Sequence, residues 1–226
     1  MKKLLVFDFD GTLTTRDTFL LFIRYACGEG AFLRGMLRYG LQLVLMKLRL
    51  LNNNKVKERV FSHFFRGWSE QRFTECGRSF ARQYRHILRP DTVTILQKVQ
   101  QEGNHVLICT ASIVQWVQPF FPEVEVVGTE PETLQPLPAS PKGRGAFTDS
   151  DAGARVLTGR FSTPNCYGPE KVRRLKEYLG NTDPMKAHLP FGEAGRGCRD
   201  SAIIAYGDSR GDRELLAWAD EGIMVK

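Results

Sequence analysis

The chain of 226 residues is sparing with cysteine, and none of it is paired along the sequence. Cys27, Cys76, Cys109, Cys166 and Cys198 are scattered without a C-x-x-C pair, which argues against a disulfide framework or a zinc knuckle and for a reducing compartment. Long hydrophobic runs are missing as well. Leu4-Leu5-Val6-Phe7 is stopped by Asp8 and Asp10, so no export signal is read. Leu41 to Leu51 is broken by Lys47 and Arg49, far short of the roughly 18 apolar residues of a membrane span. A cytoplasmic protein is expected. Gly and Pro are not in excess, and neither repeats nor a coiled-coil heptad are visible, which excludes fibrous and disordered chains. What is present, 42 % hydrophobic residues, suffices for a sizeable core in one large domain or one domain with a smaller companion.

Three short apolar runs end in polar residues and turns. Leu4 to Phe7 runs into Asp-Phe-Asp-Gly-Thr, His105 to Thr110 into Ala111-Ser112, and Ala202 to Tyr206 into Gly207-Asp208-Ser209-Arg210-Gly211-Asp212. Each reads as a buried parallel strand with a polar carboxyl end. Between them lie helical segments: one capped by Asp91 and stopped by Gly103, another opened by Pro169 and closed by Gly180. Strands alternating with such helices predict an α/β fold, a doubly wound parallel sheet that binds ligands beyond its strands' carboxyl ends.

Thr18 to Arg89 is different in kind. It shows helical periodicity, with Arg34, Arg38, Gln42 and Arg49 as a polar stripe among Leu, Met and Phe. We expect a helical domain over residues 18–90, inserted into an α/β core of residues 1–17 and 91–226. Residues 131–153 turn to Pro, Gly, Ser and Ala without periodicity and are expected to form a flexible loop or the tip of a hairpin.

Asp8 and Asp10 project to one side of a strand end, because residues two apart share a face. Carboxylates so close repel unless a cation neutralises them or one holds a proton. Asp208 and Asp212 follow another strand, and four carboxylates converging on one sheet edge make the oxygen-rich environment that Mg²⁺ favours.

Asp8-Phe-Asp10-Gly-Thr12-Leu-Thr14, then Thr110, Lys171 and Gly207-Asp208-x-x-x-Asp212 in that order, resembles the four-motif signature of the haloacid dehalogenase-like phosphatases. The helical insert after the first motif, with Asn165-Cys-Tyr-Gly-Pro-Glu-Lys171, resembles the C1-capped, phosphoserine-phosphatase-like branch, subfamily IB. The resemblance implies a Rossmann-like core, an aspartyl-phosphate mechanism and Mg²⁺ as cofactor. It makes Asp8 the nucleophile, Asp10 the general acid and base, and Lys171 the neutralising cation. Asp8, the Asp10 carbonyl and Asp208 become metal ligands. Thr110, with backbone N–H groups near Asp10, Gly11 and Ala111, becomes the phosphate cradle, to which Thr12 and Ser112 belong. Asp212 would position Lys171 or a metal-bound water. The acid at Asp10 separates the chain from the family's dehalogenases, which lack one there, and from the P-type ATPases, which carry Thr. Two departures point away from phosphoserine: Asp17 stands where phosphoserine phosphatases carry Glu, and Thr110-Ala111-Ser112 where they carry Ser-Gly-Gly. Asp17 is read either as a helix N-cap or as a substrate contact.

Residues 18–90 hold 14 Lys+Arg against 4 Asp+Glu, and the remainder 18 against 21, so the net +7 originates in the insert. That basicity fits solvated helix faces, or a positive lid that steers a small anionic phosphate ester inward. It also allows peripheral membrane contact through Phe32-Leu33, Met36-Leu37, Leu41 and Val44-Leu45 flanked by Arg34 and Arg38, although such spacing is more usual in a core. No nucleic-acid motif accompanies the charge. The expected function is Mg²⁺-dependent phosphomonoester hydrolysis. Its rivals are a phosphatase of a phosphorylated lipid, a phosphotransferase, and a non-catalytic binding module with a basic cap.

Overall fold

The computed structural model describes residues 3–48, 50–135, 154–181 and 202–225. Five parallel strands form the central sheet in the order β3-β2-β1-β6-β7: β3 is Glu125–Thr129, β2 His105–Ile113, β1 Leu4–Phe7, β6 Ile203–Gly207 and β7 Glu221–Met224. β1 is central, with Phe7 opposite Ile108 on one side and Tyr206 on the other. Leu5 and Phe7 face one apolar layer, Leu4 and Val6 the other. Both faces of the strand are covered, which is why the run shows no alternation. The chain moves from β1 to β2 and β3, then crosses back to β6, so the order reverses beside β1 and opens a crevice at its carboxyl end.

The register of β2 against β3 shifts between Cys109 and Ile113. The strand expected to end at Thr110 continues through Ala111 and Ser112 to Ile113, and of these Ala111 borders the crevice.

Between β1 and β2 lie α1 (Thr18–Cys27), α2 (Glu29–Lys47), α3 (Asn53–Phe65), α4 (Glu70–Gln83) and α5 (Pro90–Gln101). The Asp17, Asn52 and Ser69 side chains accept backbone N–H bonds at the starts of α1, α3 and α4. α5 begins one step earlier than the expected cap at Asp91: Arg89 is its N-cap and Pro90 opens it, the ring presetting the helical φ. α6 (Val114–Val117) follows β2 directly.

An aromatic cluster joins the helices to the sheet. Phe22 of α1 stacks on Trp116 of α6 at 4.5 Å and meets Phe73 and Phe80 of α4 edge-on at 5.5 and 5.3 Å. Phe80 in turn packs on Phe120, and Phe120 on Phe9 just after β1. The helices and the upper face of the sheet thus share one apolar core.

Pro131–Leu134 forms β4, paired antiparallel with β5 (Val156–Phe161) in a hairpin. This corrects the loop reading for the start of 131–153. Pro131 is tolerated as the first residue of a strand, where no ladder donor is needed, and β4's partner lies too far along the chain for local pattern to reveal. The rest of that stretch, 136–153, lies outside the described residues, as does Cys198. The hairpin straps the helices: Gly67 N–H donates to Leu157 O at 2.8 Å, Leu157 N–H to Trp68 O at 2.9 Å, and Phe61 packs on Phe161. Gly159 has φ +87 and lies against Ser62, so a side chain there would be both strained and overlapping. α7 (Pro169–Asn181) runs one residue past the expected stop at Gly180, and α8 (Arg213–Trp218) leads into β7.

Candidate active site

Asp8 leaves β1 where the sheet opens. Its N–H donates to Tyr206 O at 2.9 Å, which fixes the backbone, and its side chain is buried. Lys171, near the start of α7, sends Nζ between two carboxylates, 2.6 Å from Asp8 Oδ1 and 2.5 Å from Asp212 Oδ1. At 2 % exposure this ammonium can be tolerated only because it is paired. Burial alone would lower its pKa, but Asp8 and Asp212 overcome that and hold it above the usual lysine range. Asp212 is itself pinned, with Oδ2 accepting from Ser209 N–H at 3.0 Å and Ser209 Oγ at 2.8 Å in a capping box.

Asp10 is turned away from this cluster. Its carboxylate accepts from Thr18 N–H at 2.8 Å, Thr18 Oγ at 2.7 Å and Ser112 Oγ. Trp116 Nε1 donates to Thr18 Oγ at 3.2 Å, so a chain of donors runs from the aromatic core to Asp10. Burial and the charge of Asp17 push the Asp10 carboxyl up to about 6, while the bonds from Ser112 and Thr18 and the Lys57 charge pull it down. Asp8 is pushed up to about 7, first by burial and then by Asp212, with Lys171 opposing.

Asp208, at the end of β6, accepts from Thr12 Oγ at 3.3 Å and lies over Gly11. Gly11 has φ +81, and any Cβ would overlap the Asp208 carboxylate, so only glycine lets the two motifs approach. Burial and Asp212 raise the Asp208 pKa. Among the described residues, Asp8, Asp208 and Asp212 each offer an oxygen within 4.8 Å of the others. Three carboxylates against one ammonium leave surplus negative charge, and Lys171 engages only Oδ1 of Asp8. That donor set, all hard oxygen, fits a divalent cation.

A cavity of about 580 Å³ opens over these groups. Of the sequence-selected residues, Asp8, Asp10, Gly11, Asp17, Thr110, Ala111, Lys171, Asp208 and Asp212 line it. Thr12 and Ser112 lie behind it, buried, holding Asp208 and Asp10 rather than facing the space. Asp17 caps α1, its Oδ1 accepting from Phe19 N–H at 2.9 Å while it also borders the cavity. Thr110 Oγ accepts from Ser112 N–H at 3.0 Å, which leaves its own proton to donate.

The opposite wall comes from the helices and was missed by sequence reasoning: Leu20 of α1, Leu43 and Met46 of α2, Asn53 and Lys57 of α3. Lys57 reaches over the Phe19 ring and donates to Ala111 O at 3.1 Å. Thr18 was missed too. Its only signal was a hydroxyl directly after an N-cap, a position that usually serves the helix alone.

Comparison with known proteins agrees with this arrangement. The pattern of the haloacid dehalogenase-like hydrolases matches residues 5–136 and 143–217. Protein CicA of Caulobacter vibrioides (strain NA1000 / CB15N) is 30 % identical over 222 residues, spanning 96 % of this chain and 83 % of CicA. Among solved structures, a protein of unknown function from Bordetella pertussis Tohama I superposes with TM-score 0.70 at 20 % identity, over 97 % of this chain and 87 % of that one. A phosphoserine phosphohydrolase-like protein from Francisella tularensis subsp. tularensis SCHU S4 gives 0.55 at 16 % identity, over 96 % and 82 %. No helix among the described residues is long and apolar enough to cross a membrane. With the match running from β1 through Asp212 and the motif residues meeting in one crevice, the chain belongs to the haloacid dehalogenase-like hydrolase family.

Proposed function

We propose that this chain is a Mg²⁺-dependent phosphomonoester hydrolase of the phosphoserine-phosphatase-like branch, working through an aspartyl-phosphate on Asp8, with helices α1–α4 as its cap. The observation that carries the reading is the separation of the two first-motif carboxylates. Asp8 shares Lys171 with Asp212, a charge that favours its ionised form, whereas Asp10 accepts from Thr18 and from the Ser112 hydroxyl and touches no cation among the described residues. Two carboxyl groups in distinct environments take distinct roles.

Asp8 attacks phosphorus, and the bond from phosphorus to the ester oxygen breaks. Asp10 in its protonated form gives the leaving oxygen its proton. The resulting carboxylate, still oriented by Thr18 and Ser112, takes a proton from water as that water attacks the phosphorus of the acyl phosphate. Asp8 is thereby released with inorganic phosphate. Lys171 neutralises charge on Asp8 and the transferring group from a buried position where it needs no reorganisation. Thr110 Oγ and the backbone N–H of Ala111 receive the phosphoryl oxygens, joined by the Gly11 N–H once it leaves Thr14 Oγ, to which it donates at 3.3 Å. The Asp8 and Asp208 carboxylates, with the Asp10 carbonyl, would hold Mg²⁺, which when bound neutralises nucleophile and phosphate together. The leaving group faces Leu43, Met46 and Lys57, a wall suited to an ester with both apolar and anionic character.

The test is hydrolysis of p-nitrophenyl phosphate with Mg²⁺ by wild type and Asp8→Asn. Turnover is expected to vanish in the variant while its circular dichroism is unchanged. Wild-type activity in Asp8→Asn would overturn the mechanism, and release of phosphate to an alcohol acceptor in place of water would reassign the reaction as transfer.

A further inference from the structure

The outer side of α2 bears a row of large apolar side chains that nothing among the described residues covers. Leu37 is 89 % and Leu41 72 % exposed, with Leu33, Val44 and Leu48 also exposed. At 3.6 residues per turn these five positions fall within roughly 80° of one another, a single stripe along the helix. The inner side of the same helix is occupied: Phe64 of α3 seats against Gly35, and Leu43 and Met46 line the catalytic cavity. The spacing that usually signals a core therefore splits here, with Leu43 turned in and Leu33, Leu37, Leu41 and Val44 turned out. A soluble protein rarely leaves such a patch without a partner.

Charge identifies the partner. From Gly30 to Lys57 the sequence contains no Asp or Glu, whereas Arg34, Arg38, Lys47, Arg49, Lys55 and Lys57 fall within it. The preceding acid, Glu29, is held by Arg24 at 2.5 Å. Beside the stripe lies a groove of about 890 Å³, and among the residues lining it are Arg34, Arg38, His63, Arg72 and Leu37, with no acid. Arg72 stacks on Trp68 at 3.9 Å, and among the described residues none of these three arginines pairs with a carboxylate. Leu37 belongs to both features, so an apolar ridge and a cationic groove share an edge. A second copy of the chain on this face would press two acid-free basic surfaces together across a two-fold axis. A surface that offers hydrocarbon and negative charge side by side suits both.

We propose that the outer face of α2 docks on an anionic lipid bilayer, its leucines entering the acyl boundary and Arg34, Arg38 and Arg72 meeting lipid phosphates. The docking face is independent of the phosphatase reading, because Leu37, Leu41, Arg34 and Arg38 do not line the catalytic cavity.

The test is co-sedimentation of the full chain with vesicles of phosphatidylcholine alone and of phosphatidylcholine and phosphatidylglycerol in equal parts. Wild type is expected to pellet with the mixed vesicles, to stay in the supernatant above the neutral ones, and to be released by raised NaCl. Leu37→Ser with Leu41→Ser should weaken binding at least about tenfold. Arg34→Gln with Arg38→Gln should weaken it about thirtyfold, at about 1 kcal/mol for each arginine at an anionic surface. Circular dichroism shows that the variants are folded, and p-nitrophenyl phosphate turnover equal to wild type shows an intact site. If no turnover occurs in any of them the phosphatase reading fails and the vesicle result still stands. Equal binding to both vesicle types, or undiminished binding by the leucine variant, would overturn the proposal. So would a wild type that stays in the supernatant as a dimer which the leucine variant dissociates.

Discussion

Replacing Lys171 by Met keeps an unbranched side chain of similar length in the core and deletes one charge. The ammonium lies 2.6 Å from Asp8 and 2.5 Å from Asp212, and both carboxylates are almost fully buried. Removing it leaves two buried carboxyl groups without their cation, and breaking a buried pair in this way costs about 3–5 kcal/mol. The pH dependence has a defined sign. Lys171 is held above the ordinary lysine range, so it stays charged through the neutral region and its stabilisation persists there. Asp8, pushed by burial from the ordinary carboxylate range up to about 7, already gains protons on folding, and Lys171 is what opposes this. In Lys171→Met the folded state binds protons more tightly still, so the stability gap to wild type widens as pH rises. Urea unfolding near pH 5 and near pH 8 should show a smaller loss at the lower value and nearly the full loss at the higher. In kcat/KM for p-nitrophenyl phosphate with saturating Mg²⁺, losing a preorganised cation beside the nucleophile should cost about 10²–10³-fold, or 2.7–4 kcal/mol. A loss under about threefold, with a pH-independent stability difference, would show that Lys171 is structural filler and refute the reasoning.

Ser112→Ala removes a bond that pulls the Asp10 pKa down against burial and the Asp17 charge. The limb of the kcat/KM profile set by protonated Asp10 should move to higher pH, and an unmoved limb would detach Asp10 from the proton transfer. Gly159→Ala should destabilise the fold by more than about 1 kcal/mol, because the position needs φ +87 and has no room beside Ser62. Since helices α1–α4 and the sheet share one apolar core, that loss should appear as a shift of a single unfolding transition. Separate transitions followed by near-ultraviolet and far-ultraviolet dichroism would contradict the shared core.

The sheet and the acidic cluster were legible because their signals are local. An apolar run that ends in Asp-x-Asp-Gly or Gly-Asp states both a buried strand and the chemistry at its tip, and Lys171 is marked by the Gly-Pro-Glu before it. The residues that face the cluster from the helices were not legible. Lys57 is one of 14 Lys and Arg in residues 18–90, and only its bond to Ala111 O singles it out. Thr18 sits where a helix N-terminus explains it without reference to Asp10. Thr12 and Ser112 were recognised by motif, but their hydroxyls serve carboxylates instead of open space, a distinction that depends on side-chain direction. Strand β4 escaped notice because short strands declare themselves through their partners. The α2 periodicity gave two leucine faces and no rule for which one is covered; the arrival of Phe64 at Gly35 decides it.

The strand order also sets a timetable for synthesis. β1 leaves the ribosome first and can pair with β2 once Ile113 has emerged, but its other neighbour is β6, Ile203–Gly207. At about 5–20 residues per second the inner edge of the sheet stays unpaired for roughly 5–20 seconds. A row of free N–H and C=O groups flanked by Leu4, Val6 and Phe7 is during that interval a template for wrong partners. Asp208 and Asp212 follow β6, so a nascent chain, or one cut short by a premature stop, carries Asp8 without the two carboxylates that meet it in the folded protein. The fold thereby leaves Asp8 without Asp208 and Asp212 beside it until both have been made.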